Sequence, residues 1–271
     1  MPFVIDVDPV VLQLGGVSIR WYGIIVAFAA GAGLWYAARE SRRRGIGADT
    51  FETGVWWVLI AAALGARTLY ILQHGLGQVS ADPLHLLMIW EGGLSFYGGV
   101  VAAAIALAVF ARRRRLSLAQ LGDVAAPAAA LGMAVGHLGC LISGDSYGLP
   151  TSLPWAVIYR NPGAMAPLGV PLQPTQVYEA LAVGLLFVAL VAGRAYLERL
   201  GPGATAGAYL VGLSTIRFAL FFLRDEPPVL LGLKTAQWIG LGLGAVGLAI
   251  LVALLARRPV ATASRIRPEV S

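Results

Sequence analysis

The feature that most constrains this chain is a series of seven apolar stretches, each about as long as a bilayer is thick. They cover roughly 19–38, 53–72, 92–111, 120–142, 177–196, 205–223 and 236–256. A helix rises about 1.5 Å per residue, so about 20 apolar residues cross a hydrocarbon core near 30 Å. The runs are continuous and rich in Ala, Leu, Val and Gly, whereas a transmembrane β-barrel requires short alternating segments. Composition agrees: 58% of residues are hydrophobic and 13% charged, too few charges to cover a water-facing surface. The expected fold is all-α, a polytopic membrane protein of seven transmembrane helices. Residues 1–258 form a single transmembrane domain and 259–271 a tail.

Basic residues orient the bundle. Fourteen of the twenty Lys and Arg residues fall after spans one, three and five or in the tail, including Arg42–Arg44 and the run Arg112–Arg115. The other side has only Arg20, Arg160, Arg224 and Lys234. By the positive-inside rule the first set is cytoplasmic, placing the N-terminus outside and the C-terminus inside. The Arg112–Arg115 run lies between two spans, which argues for a topology anchor over a nucleic-acid site. Asp6, Asp8 and Pro9 interrupt the first eighteen residues, and no basic segment opens them. They read as a leader at the membrane surface and not as a signal peptide. The lone Cys140 excludes an internal disulfide. His74, His85 and His137 have no metal-ligand spacing, so neither metal nor cofactor is expected.

Two arginines fall within spans, Arg67 in the second and Arg217 in the sixth. A charge at membrane depth costs a few kcal/mol, so it faces a bundle interior or a wet cavity. One reading pairs each with backbone carbonyls or a carboxylate; the other makes them a site for an anionic ligand. Four polar clusters converge on the same outer side. They are Arg20–Gly23, Glu91–Gly99, Gly136–Gly148 and Gln173–Glu179. The longest loop, roughly 143–176, carries six prolines and lies there too. Taken singly, the glycines read as helix packing, Trp21 and Tyr22 as interfacial anchors, and His137 as a histidine bonded to a carbonyl.

Together, these segments resemble the bacterial prolipoprotein diacylglyceryl transferase family over nearly the whole chain. GHLGCLISGDSYG (136–148) is similar to that family's signature, and GARTLYIL, EGGLSFYGG, LPWAV, PTQVYEA and IRFALFFLRDEP follow its order and spacing. The resemblance implies transfer of the diacylglyceryl group of phosphatidylglycerol to the thiol of a lipobox cysteine in a preprolipoprotein, releasing glycerol phosphate. The implied partners are that lipid, the lipobox of the signal peptide and the bilayer, in the bacterial inner (cell) membrane, with no nucleic acid. Arg217 is assigned to the leaving phosphate, because a guanidinium fork donates two hydrogen bonds to phosphate oxygens. Arg67 assists it or holds the bundle; Tyr22 and Tyr97 donate to the headgroup; Gly144 and Gly148 let the loop backbone approach it. The thiol comes from the substrate, so Cys140 is not the nucleophile. His137, Tyr97 and Asp145 all stay open as the base.

The chain also departs from the family pattern. His137 replaces an arginine thought to contact the headgroup, Cys140 an asparagine, Tyr97 a histidine, Phe221 an acidic residue and Gln173 a histidine, while Asp145 replaces a glutamate. These changes keep a second reading in view: a family paralogue, catalytically altered or inactive, that binds lipid or lipoprotein. A transporter is disfavoured, since no internal repeat is seen and the intramembrane charges cluster toward one face.

Overall fold

The computed structural model describes residues 2–14, 17–74, 93 and 95–257. In chain order the elements are β1 (Phe3–Ile5), β2 (Val10–Leu14), β3 (Val17–Arg20), α1 (Trp21–Arg43), α2 (Ala48–His74), α3 (Phe96–Arg114) and α4 (Leu118–Ser143). They continue with β4 (Val157–Tyr159), α5 (Thr175–Ala192), α6 (Arg194–Leu200), α7 (Ala204–Leu220), a 3-10 turn at Phe221–Leu223 and α8 (Thr235–Ala256).

Six helical segments among the described residues are long and apolar enough to cross a membrane: α1, α2, α4, α5, α7 with its 3-10 extension, and α8. This is a multi-pass membrane protein. The third expected span, 92–111, begins outside the described residues and overlaps α3. Large apolar side chains are exposed along these helices, including Phe28, Leu181, Leu185 and Val252. In water such faces would be aggregation surfaces; in lipid they are the solvated side. Pro127 sits inside α4, as membrane helices tolerate where neighbours re-satisfy the freed carbonyl.

Contacts group the chain into two compact units, residues 1–32 with 129–271, and residues 33–128. In the second unit α2 packs on α3 at a glycine crossing. A Cβ on Gly65 would stand 2.6 Å from the carbonyl oxygen of Gly98, and one on Gly99 3.3 Å from that of Ala62. Only small residues let two backbones come this close. At the opposite end of this unit the buried Glu40 accepts from Arg43 Nη2 at 2.6 Å and Arg44 Nε at 2.7 Å. Arg44 also reaches Asp123 at 3.5 Å. Two arginines of the predominantly basic loop set thus pin the α1 end. Arg67 is buried in this unit, donating to the Gly93 carbonyl at 3.3 Å and standing 5.9 Å from the Tyr70 ring centre.

In the first unit α7 packs on α8 and α5. Gly207 and Gly247 face each other, and a Cβ on Gly247 would meet the Gly207 carbonyl oxygen at 2.7 Å. The leader and the long loop are more ordered than their sequences suggest. β1 runs parallel to β4, with Val4 opposite Ile158, and β2 pairs antiparallel with β3. A small core of Val157, Tyr159, Ala166 and Leu172 closes under the loop, with Ile5 and Leu141 against it. The pairing supplies partners for backbone groups that a bare loop would leave open.

Candidate functional site

The polar residues of the first unit meet where α4 ends, α5 begins and α7 ends. Three backbone features force that meeting. Gly144 has φ +72°, and a Cβ there would lie 3.0 Å from the Ala166 nitrogen, so both conformation and space require glycine. Gly148 is wedged between segments, where a Cβ would meet the Leu223 oxygen at 2.7 Å and the Gln173 oxygen at 2.8 Å. Hydrogen bonds then join the three segments: Gly148 N to Gln173 O (3.1 Å), Gln173 N to Leu149 O (3.0 Å) and Leu149 N to Leu223 O (2.8 Å). At both glycines the space of the missing Cβ is taken by the chain's own backbone.

α5 enters on side chains that bind this turn. Thr175 Oγ1 donates to the Ser146 carbonyl at 2.7 Å, and Gln176 Nε2 to that of Asp145 at 2.7 Å. Gln176 Nε2 also lies 3.4 Å from the Tyr159 hydroxyl, which itself donates to Leu141 O at 2.8 Å. Burial pushes the Tyr159 hydroxyl up from its ordinary value. Outside this ring, Trp155 Nε1 donates to the Tyr178 hydroxyl at 2.7 Å, which reaches Gln173 Oε1 at 3.1 Å.

One turn further along α5 is Glu179, 2% exposed. Its Oε2 contacts His137 Nε2 from α4, and its Oε1 accepts from Arg224 Nη1 at 3.0 Å. His137 Nδ1 lies 2.8 Å from the Met133 carbonyl oxygen. Arg224 also pairs through Nε with Glu226 at 3.3 Å. The Phe221 ring lies 4.7 Å from the Arg224 guanidinium and 5.6 Å from that of Arg217. An aromatic face near two cations attracts them through its quadrupole.

The Arg224 backbone is held from behind. Lys234, buried at the start of α8, donates through Nζ to the carbonyls of Phe221 (2.5 Å) and Arg224. Gln237 Nε2 binds the Phe218 carbonyl at 3.0 Å. These carbonyls belong to the end of α7 and the 3-10 turn that follows it, and that of Phe221 also accepts from Arg224 N at 3.3 Å.

Of the expected site residues, His137 is central to this network, and Arg217 is near enough to act on Glu179. Asp145 lies beside Cys140 and Tyr22, and the Tyr22 ring lies against Gly139. Arg67 belongs to the second unit, as does the backbone of Tyr97 in the first turn of α3; the Tyr97 side chain lies outside the described residues. Glu179 and Arg224 went unremarked as site residues in the sequence. The signal was available, since a carboxylate early in a membrane span demands a partner, and Arg224 immediately follows another span. Among the described residues no group of three or more His, Cys, Asp or Glu is placed to hold a metal.

Known proteins are similar to this chain over most of its length. The family model described as prolipoprotein diacylglyceryl transferase matches residues 9–253. A relative from Bordetella avium (strain 197N), named phosphatidylglycerol–prolipoprotein diacylglyceryl transferase, is 34% identical over 260 residues, covering 93% of this chain and 96% of its own. One from Sinorhizobium medicae (strain WSM419), of the same name, is 32% identical over 248 residues, 88% of this chain and 86% of its own. Another, from Nitratidesulfovibrio vulgaris (strain DSM 19637 / Miyazaki F), is 32% identical over 238 residues, 87% of each chain. The matched span includes every segment of the His137–Glu179–Arg224 network, and the chain belongs to the prolipoprotein diacylglyceryl transferase family.

Proposed function

We propose that this protein moves the diacylglyceryl group of phosphatidylglycerol onto the lipobox cysteine thiol of a preprolipoprotein, the first step of bacterial lipoprotein maturation. The family and the names of its relatives support the reaction. The observation in the molecule that carries it is the cationic site of the first unit, where Arg217 and Arg224 flank Phe221 beside the His137–Glu179 pair.

The substrate sulfur forms a bond to the glyceryl carbon while the carbon–oxygen bond to phosphate breaks. The electron pair leaves with glycerol phosphate, and the thiol proton passes to a base. Arg217 is assigned to the leaving phosphate, where charge grows and a guanidinium is worth most in a dry site. Its guanidinium is near the network, and Arg224 is already committed to Glu179 and Glu226. His137 is assigned a ring nitrogen near the headgroup, Tyr22 a hydroxyl donor and Asp145 a polar group at the end of α4. On sequence grounds Arg67 and Tyr97 are kept as further lipid contacts. Gly144 and Gly148 contribute through the turn they allow.

In this reading the protein crosses the bacterial inner membrane seven times, α3 being the additional crossing, as one transmembrane domain with a cytoplasmic tail. The N-terminus and the loop between α4 and α5 are outside and the C-terminus inside. The test is a purified preparation given phosphatidylglycerol vesicles and a lipobox peptide. A diacylglyceryl mass gain on the peptide with glycerol phosphate release supports the transferase. Lipid binding without mass gain, where a relative lacking the His137 substitution works, rejects it.

A further inference from the structure

The arginine-rich end of the second unit encloses space that the proposed reaction does not use. A cavity of about 180 Å³ lies between the second half of α1, the first half of α2, the end of α3 and the start of α4. Of its lining residues only Ser41 and Thr50 are polar, and Leu34, Val58, Leu59, Leu107 and Val124 typify the rest. Apolar cavities of about 150 Å³ stay dry and take apolar guests. The polar and apolar ends are ordered along the walls. Ser41 and Thr50 lie two residues from the ends of α1 and α2 that meet at the basic loop. Leu34 and Leu59 lie about 10–14 Å deeper, at about 1.5 Å per residue. Half of a hydrocarbon core is about 15 Å, so the depth suits the acyl region of one leaflet. Leu34 and Leu59 are 37% and 46% exposed, which opens the cavity sideways toward lipid.

The polar end is built for a ligand in two respects. Ser41 is 1% exposed, and its hydroxyl has no hydrogen-bond partner among the described residues. A buried donor left unpaired is costly, and an ester carbonyl entering the cavity satisfies it. Cations stand beside the same end. Arg42 and Glu52 line an adjoining recess that shares Leu34, Phe51 and Val55 with the cavity. The Arg114 guanidinium lies 5.9 Å from the ring centre of Phe110, itself a lining residue. This end of the unit carries eight arginines, Arg39, Arg42–Arg44 and Arg112–Arg115, against the carboxylates of Glu40, Asp49, Glu52 and Asp123. The excess is positive, and basic residues at a membrane surface favour anionic headgroups. We infer that this cavity holds one acyl chain of an anionic phospholipid from the leaflet beside the basic loops. Its ester carbonyl accepts from Ser41 Oγ, and its phosphate lies by Arg42 and Arg114. None of the lining residues belongs to the cationic site of the first unit, so occupancy here is separable from transfer.

The test uses the full-length protein in phosphatidylcholine nanodiscs with a trace of photoreactive lipid carrying a diazirine at the end of one acyl chain. Two probes share that chain, a phosphatidic acid and a phosphatidylcholine, and digestion after illumination maps the labelled peptides. The anionic probe should label the α2 peptide containing Val58 and Leu59 at least about fivefold more than the neutral one, the preference that one basic residue near the surface supplies. Val58→Trp, which fills the cavity, should remove that label and leave labelling of α8 unchanged. Ser41→Ala should lower it for both probes, since both carry the ester. Arg42→Gln combined with Arg114→Gln, both at exposed positions, should bring the two probes level while the thermal midpoint holds. Equal labelling by both probes in the wild type overturns the inference, as does a label that persists in folded Val58→Trp; either makes the contact ordinary lipid solvation. Lining peptides that neither probe labels overturn it as well. Should Val58→Trp fail to fold, the arginine pair decides, and an undiminished preference for the anionic probe there overturns the inference.

Discussion

At the scale of single residues, the first unit concentrates charge where a membrane protein can least tolerate it uncompensated. Glu179→Ala would leave His137 and Arg224 facing each other without their shared carboxylate. Breaking a buried pair from one side costs about 3–5 kcal/mol, so this variant should unfold at clearly lower temperature in detergent. Arg217 is different: its guanidinium stands over the ring of Phe221, and among the described residues no carboxylate makes a salt bridge with it. Arg217→Ala should leave the thermal midpoint nearly unchanged while transfer drops about 100–1,000-fold, the range for losing one donor to a developing charge. A matching fall in stability would instead make Arg217 structural. Tyr159 titrates with a definite sign. Its folded-state value is raised by burial above the ordinary 10.0, so the folded state holds that proton more tightly than the unfolded chain. The stabilisation is complete below pH 10 and is lost as pH rises above it. Tyr159→Phe should lose about 1–3 kcal/mol by stranding Leu141 O and Gln176, and its alkaline unfolding should be correspondingly flatter.

At the scale of elements, helix pairs are joined by close approach, since lipid supplies no hydrophobic drive between them. The α7–α8 crossing makes this testable. Gly247→Leu would drive a side chain into the Gly207 carbonyl and the Leu210 Cβ, 2.7 and 2.8 Å from the first added atom. Backbone cannot yield as a flexible side chain can, so a loss of at least about 1–3 kcal/mol is expected, measured by thermal unfolding in detergent. Gly242, with nothing within 4 Å of its Cβ position, is the control, and Gly242→Ala should be tolerated. The start of α8 also acts as a clamp on the end of α7. Lys234→Met removes the ammonium from two carbonyls and should loosen Arg224, weakening lipid retention by more than its effect on melting implies.

At the scale of the whole molecule, two arginines of the basic set that is expected to orient the spans are also built into structure, because Arg43 and Arg44 bind Glu40 and Arg44 reaches Asp123. Orientation is checked by fusing a reporter to the C-terminus: cytoplasmic activity only is expected, and activity on the outer side would invert the topology. Neutralising Arg112–Arg115 should weaken the orientation without abolishing insertion, since apolar length drives crossing and charge only chooses the sense.

The sequence by itself determined that this is a helical membrane protein, where six of its apolar spans fall and which family it joins. Those properties are local or additive: apolar length sets a span, loop charge sets its sense, and short motifs such as Gly136–Gly148 persist in linear order. Arg217 and His137 were legible for the same reason, as polar residues interrupting apolar runs. Tertiary structure alone decided their partners. Glu179 meets His137 across 42 positions and Arg224 across 45, separations that no helical period encodes. The pairing of β1 with β4 likewise joins the leader to a loop more than 150 residues away. A buried charge announces in sequence that it needs a counter-charge; which one it finds depends on how the backbone turns at Gly144 and Gly148 bring three helix ends together.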